Sequence, residues 1–247
     1  FMVSKNQRKQ ILQLKQKKYR QQLGLFVAEG VKVVEELLSS SWKCNSLFTL
    51  EEHFHSHALT VDLKTMKQIT HFKTPSPLLG VFEIPSRPNV QPSAVTIAVD
   101  AVSDPGNLGT IIRLCDWFGV DELICSAETV DCFNPKVVQA SMGSIVRVSC
   151  RYEKDLASYL SALEKPVFGA DGSGDSLYEI QLPTAATYVF GSESHGFSDA
   201  VNEVLDAKIA IPNLRSGRGA ESLNVAAASA IFLSEIFRKT KSLKGDD

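Results

Sequence analysis

The stretch VTIAVDAVSDPGNLGTIIRLCDWFG, residues 95–119, contains the pattern that decides the fold: an apolar run, a polar turn, and a helix with apolar residues on one side. The apolar run predicts a strand that is buried on both faces. Similar runs recur as ELICS, SIVRVS, PVFGA, TYVFG and KIAIP, and helical patterns separate most of them. We therefore predict an α/β fold with a mostly parallel sheet, in which ligands bind at loops beyond the carboxyl ends of strands.

Length and composition exclude several classes of protein. The 247 residues can hold one large or two modest domains, and the 44% hydrophobic and 22% charged content are globular values. No run approaches the roughly 18 apolar residues of a membrane helix, and the basic N-terminus lacks the apolar core of a secretory signal, so we expect a soluble, cytoplasmic protein. Five dispersed cysteines without a C-x-x-C pair disfavour a disulfide framework and a zinc site.

Two domains of unequal size are predicted along the chain. The first is a small alternating α/β unit over residues 1–85, with strand patterns at LFVAEG and LLGVFEI and helix patterns at GVKVVEELLSS and DLKTMKQIT. The stretch PSRPNVQPS has three prolines in nine residues and no periodicity. We therefore predict a linker over residues 86–94 and a second domain over residues 95–247.

The N-terminal end is strongly basic although the whole chain has a net charge of only −2. Residues 1–20 contain no carboxylate, so this end can attract phosphates. The alternative is a solvated helix face that keeps the chain soluble while Ile11, Leu12 and Leu14 pack. The basic side chains are Lys5, Arg8, Lys9, Lys15, Lys17, Lys18 and Arg20.

Three histidines alternate in the segment EEHFHSHAL. On a strand His53, His55 and His57 would face one way, an arrangement that a metal ion could use. Because no fourth ligand is evident, a solvated polar loop is favoured and no metal site is predicted.

The first polar loop follows the strand VTIAVDAV and opens a helix. Pro105 and Gly106 turn the chain, and Asn107 is predicted to cap the helix. Arg113 lies among apolar residues of that helix, so it is either exposed at an edge or directed at a site. The glycine spacing does not match a dinucleotide-binding fingerprint, and no phosphate-binding P-loop pattern is present.

The second loop, GSESHGFS, follows the strand TYVFG. Gly191 and Gly196 allow the backbone to approach a ligand closely. The serines lie at the wrong offsets for the nucleophile elbow of a hydrolase. Glu193 has two interpretations, a site residue or an acid favoured by the dipole at a helix start.

The third loop joins the strand end Ile211-Pro212 to the last long helix, AESLNVAAASAIFLSEIF. Ser222 is the predicted N-cap of that helix, because its hydroxyl can accept a hydrogen bond from the first turn. Capping by Ser222 does not explain why Asn224 follows it.

Together these three loops resemble the three motifs of the SpoU-type RNA 2′-O-methyltransferases of the SPOUT superfamily. The resemblance covers about residues 95–240 in the right order. It implies an α/β domain with a deep C-terminal trefoil knot, a homodimer formed through that domain, and S-adenosylmethionine (AdoMet) as the cofactor. Residues that carry the motifs are Asn107, Gly109, Arg113, Gly191, Glu193, Gly196, Ile211, Pro212, Ser222, Leu223, Asn224 and Val225.

The resemblance also implies roles for individual residues. Arg113 activates or positions the ribose 2′-hydroxyl, and the other residues of the catalytic group, Asn107, Glu193, Ser222 and Asn224, hold the site in shape. Contacts to the cofactor, largely from the backbone, are expected from Gly191, Gly196, Ile211, Pro212 and Leu223. Because arginine has a pKa above about 12, we expect Arg113 to act electrostatically rather than as a simple base.

The N-terminal unit resembles the small, ribosomal-protein-like substrate-binding domain of many SpoU-type enzymes. With the basic first helix, it predicts RNA as the partner, and rRNA is favoured over tRNA because a separate N-terminal domain is present. The segment between Ile211-Pro212 and Ser222 is about three residues longer than the family usually has. Arg215 and Arg218 in that segment either contact RNA phosphates or decorate a flexible loop.

Two other functions stay open on the sequence. The chain could bind RNA without catalysis, which the presence of Arg113, Glu193 and Asn224 disfavours. It could also be another kind of nucleotide-binding α/β enzyme, which the absence of the corresponding glycine-rich patterns disfavours.

Overall fold

The computed structural model describes residues 3–52, 54–86, 94–215 and 220–238. Three sequence-based predictions fall outside these residues: the linker segment 87–93, His53 and Arg218. No helix within the described ranges is long and apolar enough to cross a membrane.

The described residues of 3–52 and 54–86 form four helices and a four-stranded sheet of order β1-β4-β2-β3. β4 is antiparallel to both β1 and β2, whereas β2 and β3 are parallel. The elements are α1 Lys5–Gln13, α2 Lys17–Leu23, β1 Leu25–Glu29, α3 Val31–Leu38, β2 Cys44–Thr49, β3 Ala58–Thr60, α4 Leu63–Ile69 and β4 Leu78–Glu83.

The basic N-terminal segment folds as two helices, whereas the sequence pattern predicts one. α1 begins with a capping box, in which the Ser4 hydroxyl accepts from the Gln7 N–H at 3.1 Å and the Gln7 side chain accepts from the Ser4 N–H at 3.2 Å. α2 ends at Gly24, whose φ of 64° is the left-handed conformation that glycine adopts readily. Ile11 and Leu14 pack into an apolar core of this region, as expected, but Leu12 is 47% exposed.

His55 and His57, the two described histidines of the alternating segment, do not lie in a strand. Residues 54–57 precede β3, and His55 and His57 are exposed. Within the described ranges, no group of three or more His, Cys, Asp or Glu side chains could hold a metal ion.

The described residues of 94–215 and 220–238 form five helices, one 3₁₀ turn and a six-stranded sheet of order β10-β8-β9-β5-β6-β7. The elements are β5 Val95–Val99, α5 Pro105–Phe118, β6 Glu122–Ser126, α6 Pro135–Ala140, the 3₁₀ turn Ser144–Val146, β7 Ser149–Glu153, α7 Leu156–Ser161, β8 Val167–Ser176, β9 Ala186–Phe190, α8 Asp199–Glu203, β10 Ala207–Ala210 and α9 Val225–Ile236.

The predicted α/β class and mostly parallel sheet are confirmed. The pairs β10–β8, β8–β9, β9–β5 and β5–β6 are all parallel. β5 and β9 are buried along their whole length, which is why their sequences are continuous apolar runs. One strand was predicted wrongly: in SIVRVS, Ser144–Val146 form a 3₁₀ turn after Gly143, whose φ is 93°, and β7 starts only at Ser149, the last residue of the run.

The described residues group into two compact units that do not follow chain order. The first comprises residues up to 89 together with 104–113 and 130–149, and the second comprises 90–103, 114–129 and the residues from 150 onward. A compact unit is a spatial grouping, so the predicted domain boundaries around residues 86–94 stay a prediction.

Candidate functional site

A cavity of about 840 Å³ lies at the carboxyl ends of β9 and β10 and beside the middle of β8, three neighbouring strands of the second unit. Its walls come from residues 170–172, from the loop that follows β9, from residues 209–215, and from residues 220–232, which include part of α9. Ligands of parallel α/β sheets bind beyond the carboxyl ends of strands, and the cavity lies in such a position. Its volume suits a nucleoside-sized ligand.

The loop after β9 is shaped by short-range hydrogen bonds. The Ser192 N–H donates to the Gly196 carbonyl and the Gly196 N–H donates to the Ser192 carbonyl, both at 2.9 Å. A Cβ on Gly191 would lie 2.4 Å from the Gly196 carbonyl carbon, and Gly196 has a φ of +68°. Both glycines are therefore needed for the loop conformation itself as well as for backbone access to a ligand.

The start of α9 forms another wall and corrects the prediction about its cap. Asn224 is the N-cap: its side-chain oxygen accepts from the N–H groups of Ala226 at 3.0 Å and Ala227 at 3.2 Å. The prediction that Ser222 is the cap was wrong, because the helix starts two residues later than expected. Ser222 and the half-exposed Leu223 instead line the cavity.

Asp171 lines the cavity and was not predicted as a site residue from the sequence. A hydrogen bond of 2.7 Å from the Ser173 hydroxyl holds the pKa of Asp171 below its usual range, and Lys208 Nζ lies 3.4 Å from the same carboxylate. Asp171 therefore stays ionised at neutral pH and can face a cationic ligand group. The signal was available, since Asp171 follows the apolar run PVFGA in β8 as other polar residues follow strands.

The structure brings seven of the ten residues predicted for the cofactor and catalytic groups to this cavity. The seven are Gly191, Glu193, Gly196, Ile211, Pro212, Ser222 and Leu223. Asn224 is not among the lining residues, although both of its neighbours in sequence are close to the cavity.

Asn107 and Arg113 lie on α5 in the first compact unit and do not line the cavity. The prediction that Asn107 caps α5 was wrong: the Asp104 carboxylate accepts from the Asn107 N–H at 2.8 Å, so Asn107 lies inside the first turn. Arg113 is exposed, whereas its helix neighbours Ile111 and Ile112 are buried. Arg113 is therefore available to a substrate.

Gly109 has a packing role on the same helix. A Cβ at this position would lie 2.5 Å from the Cβ of Ala140, so glycine lets α5 approach α6 closely. The close contact between α5 and α6 therefore explains why the motif has glycine at position 109.

The seven basic residues predicted for the N-terminal segment divide into six accessible residues and one buried residue. Lys5, Lys9, Lys15, Lys17 and Lys18 are exposed, and Arg8 is half-buried.

Arg20 differs from them. Its side chain is 2% exposed and binds the Asp131 carboxylate, with Nε to Oδ2 at 2.9 Å. The prediction that Arg20 contacts RNA was wrong, because its guanidinium is inaccessible and already bound within the first unit.

Comparisons with known proteins agree with this geometry. Residues 94–234 match the SpoU rRNA Methylase family, and residues 5–80 match the MRM3-like substrate binding domain. The chain is 30% identical to the 23S rRNA (guanosine(2553)-2′-O)-methyltransferase RlmP of Bacillus subtilis over 93% of this chain and 96% of that protein.

Solved structures show the same similarity over nearly the whole chain. A TrmH-family protein from Porphyromonas gingivalis has 37% identity and a TM-score of 0.86, and the match covers 97% of this chain and 100% of that one. An AdoMet-bound rRNA methyltransferase from Sinorhizobium meliloti has 30% identity and a TM-score of 0.83, with 98% of both chains covered. The chain therefore belongs to the SpoU rRNA methylase family.

Proposed function

We propose that this protein transfers a methyl group from AdoMet to a ribose 2′-hydroxyl of structured RNA, with rRNA as the substrate class. The observation that carries the proposal is the cavity beside β8 and at the ends of β9 and β10, because seven motif residues from three separate segments converge on it. RlmP, a relative over almost the full chain, is named as a 23S rRNA 2′-O-methyltransferase, and a similar solved structure contains AdoMet.

The cavity residues fit AdoMet in size and in charge. Gly191 and Gly196 give backbone access, Ile211, Pro212 and Leu223 supply apolar wall, and the ionised Asp171 suits a ligand with cationic groups. When bound, AdoMet supplies a methyl group activated by an adjacent sulfonium. Because the sulfonium charge is lost in the reaction, an apolar wall beside the sulfur is compatible with the chemistry.

The remaining roles are assigned to groups of this chain. Arg113, exposed on α5, stabilises the developing charge on the 2′-oxygen or clamps an adjacent phosphate, since a guanidinium with a pKa above about 12 is a poor base. Glu193 and Ser222 shape the cavity edge, Asn224 fixes the start of α9, and Asn107 shapes the first turn of α5. Most of the rate enhancement then comes from alignment, which can lower a barrier by about 7–11 kcal/mol.

RNA contact is assigned to the first unit, whose exposed cations include those of α1, α2 and α4. Lys64 and Lys67 on α4 are exposed like the lysines of α1, and the Arg8 guanidinium donates to the Gln68 side chain, which joins the two helices. Apart from the α4 cap Asp62, residues 3–24 and 62–77 contain no carboxylate. This α1/α4 surface can bind RNA phosphates without reading sequence.

Several finer features are part of the same proposal. We propose a trefoil knot in residues 95–247, a homodimer formed through that region, and a cytoplasmic location. Arg215 lines the cavity and is a second candidate for phosphate contact. The proposed domains are residues 1–85 for RNA binding and 95–247 for methyl transfer, joined by 86–94.

Titration of the purified protein with AdoMet in a calorimeter tests the cofactor assignment, with Leu223→Ala as a cavity variant. The proposal predicts binding that the variant weakens. Absence of binding both without and with added rRNA contradicts the proposal and favours the alternative, an RNA-binding protein that has lost catalysis.

A further inference from the structure

Asp100 is a buried carboxylate at the end of β5 that the motif comparison leaves without a role. Only 3% of the residue is exposed. Its N–H donates to the Phe190 carbonyl at 2.9 Å, and its Oδ2 accepts from both the N–H and the hydroxyl of Ser198 at 2.8 Å. Its backbone N–H, which any residue but proline would supply, therefore contacts Phe190, and its carboxylate contacts Ser198, eight positions further along the chain.

Phe190 and Ser198 flank the loop of residues 191–197, which lines the cofactor cavity. Phe190 is the last residue of β9, and Ser198 is the N-cap of α8. The loop between them, residues 191–197, supplies Gly191, Glu193 and Gly196 to the cavity wall. We propose that Asp100 is a positioning residue that clamps both ends of this loop and thereby sets its shape for AdoMet; the inference rests on the proposed function of the cavity.

The way Ser198 is used supports this assignment. As an N-cap, a serine hydroxyl ordinarily accepts a hydrogen bond from its own helix. The Ser198 side chain makes no such bond to α8 and donates to Asp100 instead. The Ser198 hydroxyl is thus used to hold Asp100 and not to stabilise the five-residue helix α8.

The backbone next to Asp100 supports it as well. Ala101 has a φ of 54°, a left-handed conformation that few residues other than glycine adopt. The Ser126 hydroxyl accepts from the Ala101 N–H at 2.9 Å and holds this conformation. The end of β5 is therefore built to fix the direction in which Asp100 points.

Hydrogen exchange of the cofactor-free protein tests the clamp directly. Asp100→Ala and Ser198→Ala should speed exchange of the amides in residues 191–198, and Asp100→Asn, which keeps an acceptor oxygen, should restore part of the protection. Ser158→Ala is the matched control, because Ser158 donates its N–H and hydroxyl to Asp155 in the same way at the start of α7. The control should leave exchange in 191–198 unchanged.

AdoMet affinity is the second readout. By calorimetry, Asp100→Ala should weaken binding by about tenfold and Ser198→Ala by about threefold, while Ser158→Ala keeps wild-type affinity. Ser198 is exposed, so its variant should fold even if Asp100→Ala does not. Wild-type exchange and affinity in Ser198→Ala and in any folded Asp100 variant would overturn the inference. A wild-type protein that binds no AdoMet would contradict the proposed function instead, and the exchange data would still decide whether the clamp exists.

Discussion

Removing the carboxylate of Asp131 should destabilise the first unit strongly. The Arg20 side chain is 2% exposed; besides Asp131, it donates through Nη1 to the carbonyls of Leu14 at 2.8 Å and Lys15 at 2.9 Å. Asp131→Asn leaves this buried cation without a counterion. Breaking a buried pair costs about 3–5 kcal/mol, and because Asp131 itself is 15% exposed we expect the lower end, about 3 kcal/mol.

Urea unfolding followed by tryptophan fluorescence measures this cost. Trp42 reports on the first unit, since its ring centroid lies 5.8 Å from that of Phe26 and 6.1 Å from that of Phe133. The other tryptophan, Trp117, is already 84% exposed and should change little on unfolding. The double variant Arg20→Met/Asp131→Asn should recover part of the loss, because it buries no unpaired charge.

An exposed ion pair of the same unit is the control. Arg147 and Glu36 are 2.8 Å apart, but their side chains are 49% and 38% exposed, so Glu36→Gln should cost less than about 1 kcal/mol. Equal costs for Asp131→Asn and Glu36→Gln would refute the reasoning that burial makes Arg20 a structural residue.

Three further predictions concern the cavity, the RNA surface and pH. Gly191→Ala should weaken AdoMet binding at least about tenfold by calorimetry, because the new Cβ would lie 2.4 Å from the Gly196 carbonyl carbon; wild-type affinity would contradict this. Lys9→Gln and Lys18→Gln should each reduce the slope of log affinity for RNA against log salt by about 0.7–0.9, with unchanged melting temperature; an unchanged slope would remove that lysine from the RNA surface. Burial lowers the pKa of His71 from 6.5, so its neutral form stabilises the fold above pH 6.5, and this contribution is lost as pH falls through the lower folded pKa. His71→Gln should therefore flatten the fall in melting temperature between about pH 7 and 5. A melting-temperature curve parallel to that of the wild type would contradict this prediction.

The sheet of the second unit was predictable because its central strands are buried on both faces. β5 and β9 are wholly buried, and burial of both faces requires the continuous apolar runs that the sequence shows. The error at SIVRVS has a local cause: a short apolar run fits a strand or a tight turn, and Gly143 resolves it in favour of the turn.

Residues whose roles depend on distant partners could not be assigned from sequence. Arg20 looks like the other cations of the N-terminal segment, but its partner Asp131 lies 111 positions away. Asp100 likewise bonds to Ser198, which is 98 positions away. The helix caps were missed for a simpler reason, since Ser222 and Asn224 are both good capping residues and only the observed helix start distinguishes them.

The most direct test of the central claim is the chemical position of the transferred methyl group. Unmodified 23S rRNA transcript is incubated with the protein and AdoMet labelled in its methyl group, and the RNA is then hydrolysed in alkali, which requires a free 2′-hydroxyl at each cleaved linkage. Methylation of the ribose predicts label in alkali-stable dinucleotides, and its loss in Arg113→Ala. Label released in ordinary mononucleotides would place the methyl group on a base and contradict the account.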